Sequence, residues 1–469
     1  MSQSLSGSLE ELVLTALCWD TTTAAMVAMR VTPELFTTRH FRTIAKAAID
    51  HISRYGESPK NHLPDILESE LNKGEASAVL WKQIGRMEEI YPEVQPDYVT
   101  DQLDQFISLH KIRLALATAA EHVQKGDLIK AQEAMHVIDV GTKMEPGIWM
   151  NEADQALRFL DKTEDDEFNL GIQALDSRGV RPARKTMLVI MAPKKRGKSM
   201  GLINIGKQAA YIDRKNVLHI TLEMSEDDVA KRYTQSICGW TAAEAAEKAL
   251  RIPLFKRDDR GNYIGMDFDL ITPTMLNRQT RKEAAQRLRT VSRGNRRLLI
   301  KEFPTASLTT SQLIMFLEYL KRTEKFEPDM LIIDYANLMH MNAAQVRTET
   351  GRIFRELRGI GMARNLAVVT ATQGNRLSET SRIVGSTHVS EDWSVMGTAD
   401  IVLTICQTPE EKEKRLARLL VAAARSVPDG YLVLISQAYE TCQFATDSIY
   451  MNKIANRDFS QMMDGDPDD

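Results

Sequence analysis

At 469 residues the chain is long for one ordinary domain, and two or three units are expected. Hydrophobic residues make up 43% and charged residues 26%, the balance of a soluble globular protein, which excludes wholesale disorder. The formal net charge of −4 and the pI of about 6.2 exclude a global basic field, so any nucleic-acid contact has to come from local basic loops.

The first residues, MSQSLSGSLEELVL, carry no basic stretch followed by an apolar one, and no run of about 18 apolar residues occurs anywhere, so a cytoplasmic protein without membrane contact is expected. From Leu9 to about Val123 apolar residues recur at helical spacing, as in Leu9, Leu12, Val13 and Leu17, and again in Phe41, Ile44, Ala48 and Ile49. The spacing predicts an all-helical region, assigned to 1–138. Near its end Leu109, Ile112, Leu116, Ala119 and Val123 form a narrow apolar seam, for which an intramolecular hairpin and a subunit contact are equally open.

Gly141, Pro146, Gly147 and the acidic run Glu164, Asp165, Asp166 mark 139–166 as a linker carrying one helix. Beyond it, apolar strands alternate with amphipathic helices: TMLVIMA from Thr186, VLHITL from Val217, MLIIDY from Met330, LAVVTAT from Leu366 and DIVLTI from Asp400. That alternation predicts an α/β domain over 167–460 built on a mainly parallel sheet, with an aspartate-rich solvated tail over 461–469. The stretch from Arg251 to Asp269 reads as a hairpin with no function attached. Cys18, Cys238, Cys406 and Cys442 are scattered, with no CxxC pair or histidine partner, and read as core residues rather than zinc ligands or disulfides.

The chemistry begins where the first strand runs into Ala192, Pro193, Lys194, Lys195, Arg196, Gly197, Lys198 and Ser199, followed by a helical pattern. Strand, loop and helix in that order are the context of a P-loop. Backbone amides would cradle phosphates, Lys198 would reach the β and γ oxygens, and Ser199 would ligate Mg²⁺. Ala192 stands where the common pattern has glycine. The strand Met330 to Asp334 ends in a carboxylate at the edge where parallel sheets bind ligands, which makes Asp334 the second magnesium residue. VLHITL leads to Glu223, before the helix-start signal Ser225 and Asp228. A carboxylate there could orient and deprotonate an attacking water, or be an ordinary exposed loop residue. Gln373, ending LAVVTAT, could sense a γ-phosphate or simply bond to backbone. To this point the residues describe an ATPase core without saying what it moves.

Four segments in order then resemble the DnaB-type replicative helicases, the phage-encoded members above all: APKKRGKS, LEMS at Leu222 to Ser225, IIDYANLM from Ile332, and the strand ending TQGNR. Gly171, Leu175 and Asp176 ahead of the first strand, KEFPTAS at Lys301 and SEDWSVMGTADIV at Ser390 are similar to the family as well. So are LEELVLTALCWD and LFTTRHFRTIAKAAIDHISRYGESP, which match its helical N-terminal domain, and the resemblance covers nearly the whole chain. It implies a RecA-like core behind a helical collar, ATP and Mg²⁺ as cofactors, and a homo-hexameric ring whose sites lie between subunits. The substrate it implies is single-stranded and forked duplex DNA, with primase and a helicase loader as partners, in the host cytoplasm for a phage-encoded member.

The position matching the family's arginine finger is Arg425, in VAAARSVPDG. Ala423 stands where the family usually adds a lysine, which removes the basis for a second cation there. The loops matching the family's DNA contacts run from His340 to Gly351 and from Gly374 to Trp393. They put forward Arg347, Arg376, Arg382, Ser390 and Glu391, with Ser390 where the family carries arginine. The competing readings are another RecA-like DNA-dependent ATPase, such as a filament-forming recombinase, and a loader or scaffold assembled by ATP.

Overall fold

A computed structural model describes residues 4–68, 75–126, 150, 152, 153, 157, 166–242, 249–292, 297–341, 346–373 and 397–464. The chain divides into two compact units, Met1–Gly147 and Ile148–Asp469.

The first unit is helical among its described residues, with α1 (Ser4–Trp19), α2 (Thr21–Arg30), α3 (Arg39–Tyr55), α4 (Glu75–Ile90) and α5 (Pro96–Gln124). Helix α3 starts where the Thr38 side chain accepts the Phe41 N–H and stops at Gly56, which adopts the left-handed conformation that a residue with a Cβ resists. Val13, Leu14 and Leu17 of α1 meet Ile44 and Ala48 of α3 and Leu103 and Phe106 of α5 in one core. The far end of α5 leaves that core, so Leu116 and Val123 of the predicted seam are exposed while Ala119 is buried. The intramolecular hairpin therefore has no partner helix there among the described residues.

The second unit is organised by one sheet. Its strands are β1 (Met187–Ala192), β2 (Val217–Thr221), β5 (Leu298–Glu302), β6 (Met330–Asp334), β7 (Ala367–Gln373), β8 (Ile401–Cys406), β9 (Leu416–Ala424), β10 (Leu432–Ala438) and β11 (Gln443–Tyr450). They lie in the order β11-β10-β9-β8-β1-β7-β6-β2-β5. Pairings from β5 through β8 are parallel, and β9, β10 and β11 extend the sheet in antiparallel fashion. The central strands are continuous apolar runs because both faces are covered. Leu188 and Ile190 of β1 enter the core shared with α6 (Lys198–Lys207), whereas Met187 and Val189 point to the opposite face. There they meet α9 (Thr310–Thr323) and α10 (Val346–Ala363) through Leu313, Leu317, Phe354 and Leu357. Between these lie α7 (Glu226–Cys238) and α8 (Arg281–Val291).

The expected hairpin is present as β3 (Leu250–Arg257) against β4 (Tyr263–Ile271), anchored by Phe255 and Tyr263. All four cysteines are buried and unbonded. Two sequence boundaries need correction. The tail begins later than 461, because α11 (Lys453–Asp464) runs on and buries Ala455 and Phe459. The presumed loop from His340 is helical from Val346 onward.

Candidate nucleotide site

The carboxyl ends of β1, β2, β6 and β7 bring the predicted chemistry together. Leaving β1, the chain passes through Lys195 and Gly197, both with positive φ (59° and 88°), and enters α6 at Lys198. Gly197 is required twice over: its conformation disfavours a side chain, and a Cβ there would collide with the Tyr439 hydroxyl. The turn aims the first amides of α6 at the space above the sheet, where an anion is stabilised by the helix end.

Lys198 folds back over the loop, its Nζ 3.2 Å from the Ala192 carbonyl and 3.0 Å from that of Pro193. Burial lowers its pKa, while Glu223 and then Asp334 hold it up. The ring of Tyr335 lies 5.9 Å from the ammonium. Gln373 is in register with Ala192 on the neighbouring strand, so the residue proposed to sense the phosphate borders the loop.

Asp334 is 1% exposed, and neither carboxylate oxygen meets a donor at full hydrogen-bond geometry. Burial lifts its pKa to about 6; the Ser199 hydroxyl beside it works against that rise and Glu223 adds to it. An ionisable group this deep is normally paired. A serine hydroxyl and a carboxylate with free lone pairs, side by side, are donors suited to a hard divalent cation whose remaining ligands are phosphate oxygens and water.

Glu223 projects from the bend after β2, exposed at its side chain while its backbone is fixed on all sides. The Leu222 N–H donates to the Asp334 carbonyl at 2.9 Å, the Thr305 hydroxyl to the Leu222 carbonyl at 2.6 Å, and the Met224 N–H to the Thr221 hydroxyl at 3.1 Å. Ser225 then caps α7 by accepting the Asp228 N–H, as its sequence predicts. The exposed carboxylate is therefore delivered by a rigid turn.

Arg425 is elsewhere. Its N–H donates to the Asp400 carbonyl (3.0 Å), its Nη2 to the Gly397 carbonyl (2.8 Å), and its Nε lies 3.4 Å from the Asp400 carboxylate. Ala424 pairs with Ile401, which pairs with Leu188, so Arg425 is level with the start of β1 and the P-loop with its end. Five strand steps, about 17 Å, separate the two levels. Asp400 also accepts the Met187 N–H (2.9 Å) and pairs with Arg358 (2.8 Å).

Of the DNA candidates, Arg347 falls on the first turn of α10 with its side chain outside the described residues, as are Arg376, Arg382, Ser390 and Glu391 altogether. Sequence reasoning passed over Tyr439, Tyr335 and Asp400. It also passed over Arg232 of α7, whose charge lowers the pKa of Asp334. A cation nine residues beyond Glu223, two helical turns into the helix that Ser225 caps, was the available signal for the last of these.

No family model matches the chain. Among curated proteins it is similar to a DnaB-like replicative helicase of Enterobacteria phage T4, 24% identical over 268 residues, 56% of this chain and 50% of that protein; the chain thus spans half the length of that relative. Among solved structures it is similar to a DnaB-like replicative helicase studied with its interactions with primase, at a TM-score of 0.54 and 16% identity over 95% of this chain and 100% of that one. It is also similar to an ATPase domain solved by itself, at a TM-score of 0.49 and 16% identity over 65% of this chain and 99% of that one. The second unit has the RecA-like fold, and the resemblance read from LEMS and its companion segments extends to three-dimensional architecture.

Proposed function

We propose that the chain is an ATP-dependent replicative DNA helicase, a ring-forming motor that translocates on single-stranded DNA and opens duplex at a fork. The observation that carries this reading is the separation within one chain of two halves of a hydrolytic site. Lys198, Ser199, Asp334 and Glu223 gather at the carboxyl end of the sheet, while Arg425 sits at the other end of β1. A strand-end arginine remote from its own phosphate loop serves catalysis by reaching a neighbour's, which makes turnover depend on assembly. A hexamer with sites between subunits fits that division.

In this mechanism the P-loop amides and Lys198 hold the β and γ phosphates. Ser199 and Asp334 would hold Mg²⁺, which supplies neutralising charge on the phosphate oxygens. Glu223 accepts a proton from the water that attacks the γ-phosphorus, and the bond to the ADP oxygen breaks in line. A neighbour's Arg425 stabilises the charge spread over the equatorial oxygens. Gln373, in register with Ala192, reports the presence of the γ-phosphate to the segment that follows it, where Arg376, Arg382, Ser390 and Glu391 would meet the DNA backbone together with Arg347. Primase and a loader are the further partners this reading implies, and the similar solved helicase is itself described with primase.

The test is unwinding of a forked duplex with ATP and Mg²⁺. Wild type separates the strands; Lys198→Ala abolishes separation and turnover; Glu223→Gln abolishes turnover while retaining nucleotide binding. Unchanged turnover in Glu223→Gln removes that residue from the mechanism, and a wild type that never opens a fork, with or without partners, removes the helicase reading.

A further inference from the structure

Between Thr274 and Arg297 the sequence places eight arginines and lysines against a single acid, Glu283, a local surplus of seven positive charges in a chain whose formal net charge is −4. Arg293 and Arg296 fall outside the described residues. Two of the rest have structural work. Arg287 donates to the Cys238 carbonyl (3.1 Å), pairs with Glu283 (3.2 Å) and covers the Trp240 ring. Arg297 donates to the carbonyls of Glu324 and Lys325 and covers Phe326.

Arg278, Arg281, Lys282 and Arg289 are different: all four are exposed, and none has a hydrogen bond or ion pair to another described residue. At about 100° per residue, Lys282 and Arg289 lie on one side of α8, roughly 140–160° away from the buried Ala284. Arg278 comes from the turn that feeds the helix. That turn is pinned: the Gln279 N–H donates to Asn277 Oδ1 (2.8 Å) and the Thr280 hydroxyl to the Met275 carbonyl (2.7 Å). The cations are thus held on a rigid element, unpaired, and turned outward.

We propose that α8 and its leading turn form a docking surface for the phosphodiester backbone of duplex DNA, separate from the single-strand contacts of the motor. A surplus of seven charges needs a polyanion, and a duplex offers about one charge per 1.7 Å of its axis. Lys282 and Arg289 are about 10 Å apart along the helix and span several of those charges. Residues 274–297 contain no aromatic side chain, and the nearby Trp240 is 2% exposed beneath Arg287. Unpaired bases, which bind by stacking on aromatic platforms in a groove, therefore find nothing here. A convex cationic face suits the continuous phosphate ridge of a double helix, read without regard to sequence. The surface belongs to α8, which packs on α7 and Trp240 and leads to the edge strand β5, so its removal leaves the phosphate loop untouched.

The experiment compares the full-length chain with the triple variant Arg278→Gln, Lys282→Gln, Arg289→Gln. Fluorescence anisotropy with a blunt 30-bp duplex is read across a salt series, with a single-stranded oligonucleotide and ATP turnover measured in parallel. Loss of three phosphate contacts lowers the slope of log affinity against log salt by about 2.7. Single-strand affinity and turnover stay at wild-type levels, and the variant Arg278→Lys, Arg289→Lys keeps duplex binding. A wild type that does not bind blunt duplex, or an unchanged slope in the triple variant, overturns the proposal. A loss confined to single strands overturns the duplex assignment. Duplex binding with this signature in a protein that opens no fork supports the surface and counts only against the helicase reading above.

Discussion

Replacing Asp334 by asparagine removes a buried charge while keeping the shape of the side chain, and the consequence for stability runs opposite to the consequence for function. Asp334 is 1% exposed and its pKa is raised from 3.8 to about 6, chiefly by burial. Between those two values the folded state binds more protons than the unfolded state, so this group makes stability fall as pH rises through the window. A gap of about two units costs the metal-free protein about 3 kcal/mol at pH 7.5 and roughly half of that at pH 5. Asp334→Asn relieves it. In chelator-treated, nucleotide-free protein followed by urea unfolding, the variant is expected to be more stable than wild type at pH 7.5. Its advantage halves at pH 5 and is nearly gone at pH 3.8. ATP turnover is lost at every pH, and MgATP, which raises the unfolding midpoint of wild type, raises that of the variant far less. A variant less stable than wild type at pH 7.5, or an advantage independent of pH, would refute the reasoning that the orphaned carboxylate is a strained, metal-seeking group.

Gly197→Ala is expected to abolish nucleotide binding, measured by titration with a fluorescent ATP analogue, and to destabilise the fold by about 1–3 kcal/mol through its left-handed backbone and the collision with Tyr439. Gly56→Ala, at a helix end with open space around it, costs about 1 kcal/mol in melting and leaves binding intact. Arg425→Ala leaves nucleotide affinity near wild type and lowers turnover by about 10³-fold, and mixing it with Lys198→Ala protein restores part of the turnover through mixed interfaces. An Arg425→Ala protein that turns over normally, or a mixture no better than its parts, refutes action across a subunit boundary.

The P-loop, the strand-end Asp334 and the Ser225 cap were legible because each is a local pattern: an apolar run, a turn signal and a helix start fall within a dozen residues. The antiparallel extension was not, since the buried runs in β9 and β10 have the same composition as the parallel strands and carry no mark of direction. Asp400 was read only as the first residue of a strand. Its partners Met187, Arg358 and Arg425 are far apart in sequence and meet only through the order of the sheet. The end of α11 was mistaken for tail because acidic residues outweighed the apolar pattern of Ala455 and Phe459.

The Asp400 carboxylate gathers the arginine, the helix α10 through Arg358, and the first amide of the strand that ends in the phosphate loop. A strand hydrogen-bonded on both sides transmits displacement along its length with little give, so β1 works as a short pushrod. If a neighbour's phosphates draw Arg425 outward, the pull is applied at the foot of the rod whose head holds this subunit's own nucleotide. A double-mutant cycle between Arg425 and Asp400, read as nucleotide affinity, measures that linkage directly. Firing order around a ring would then need no dedicated messenger segment, because each subunit's β1 already joins the site it completes to the site it owns.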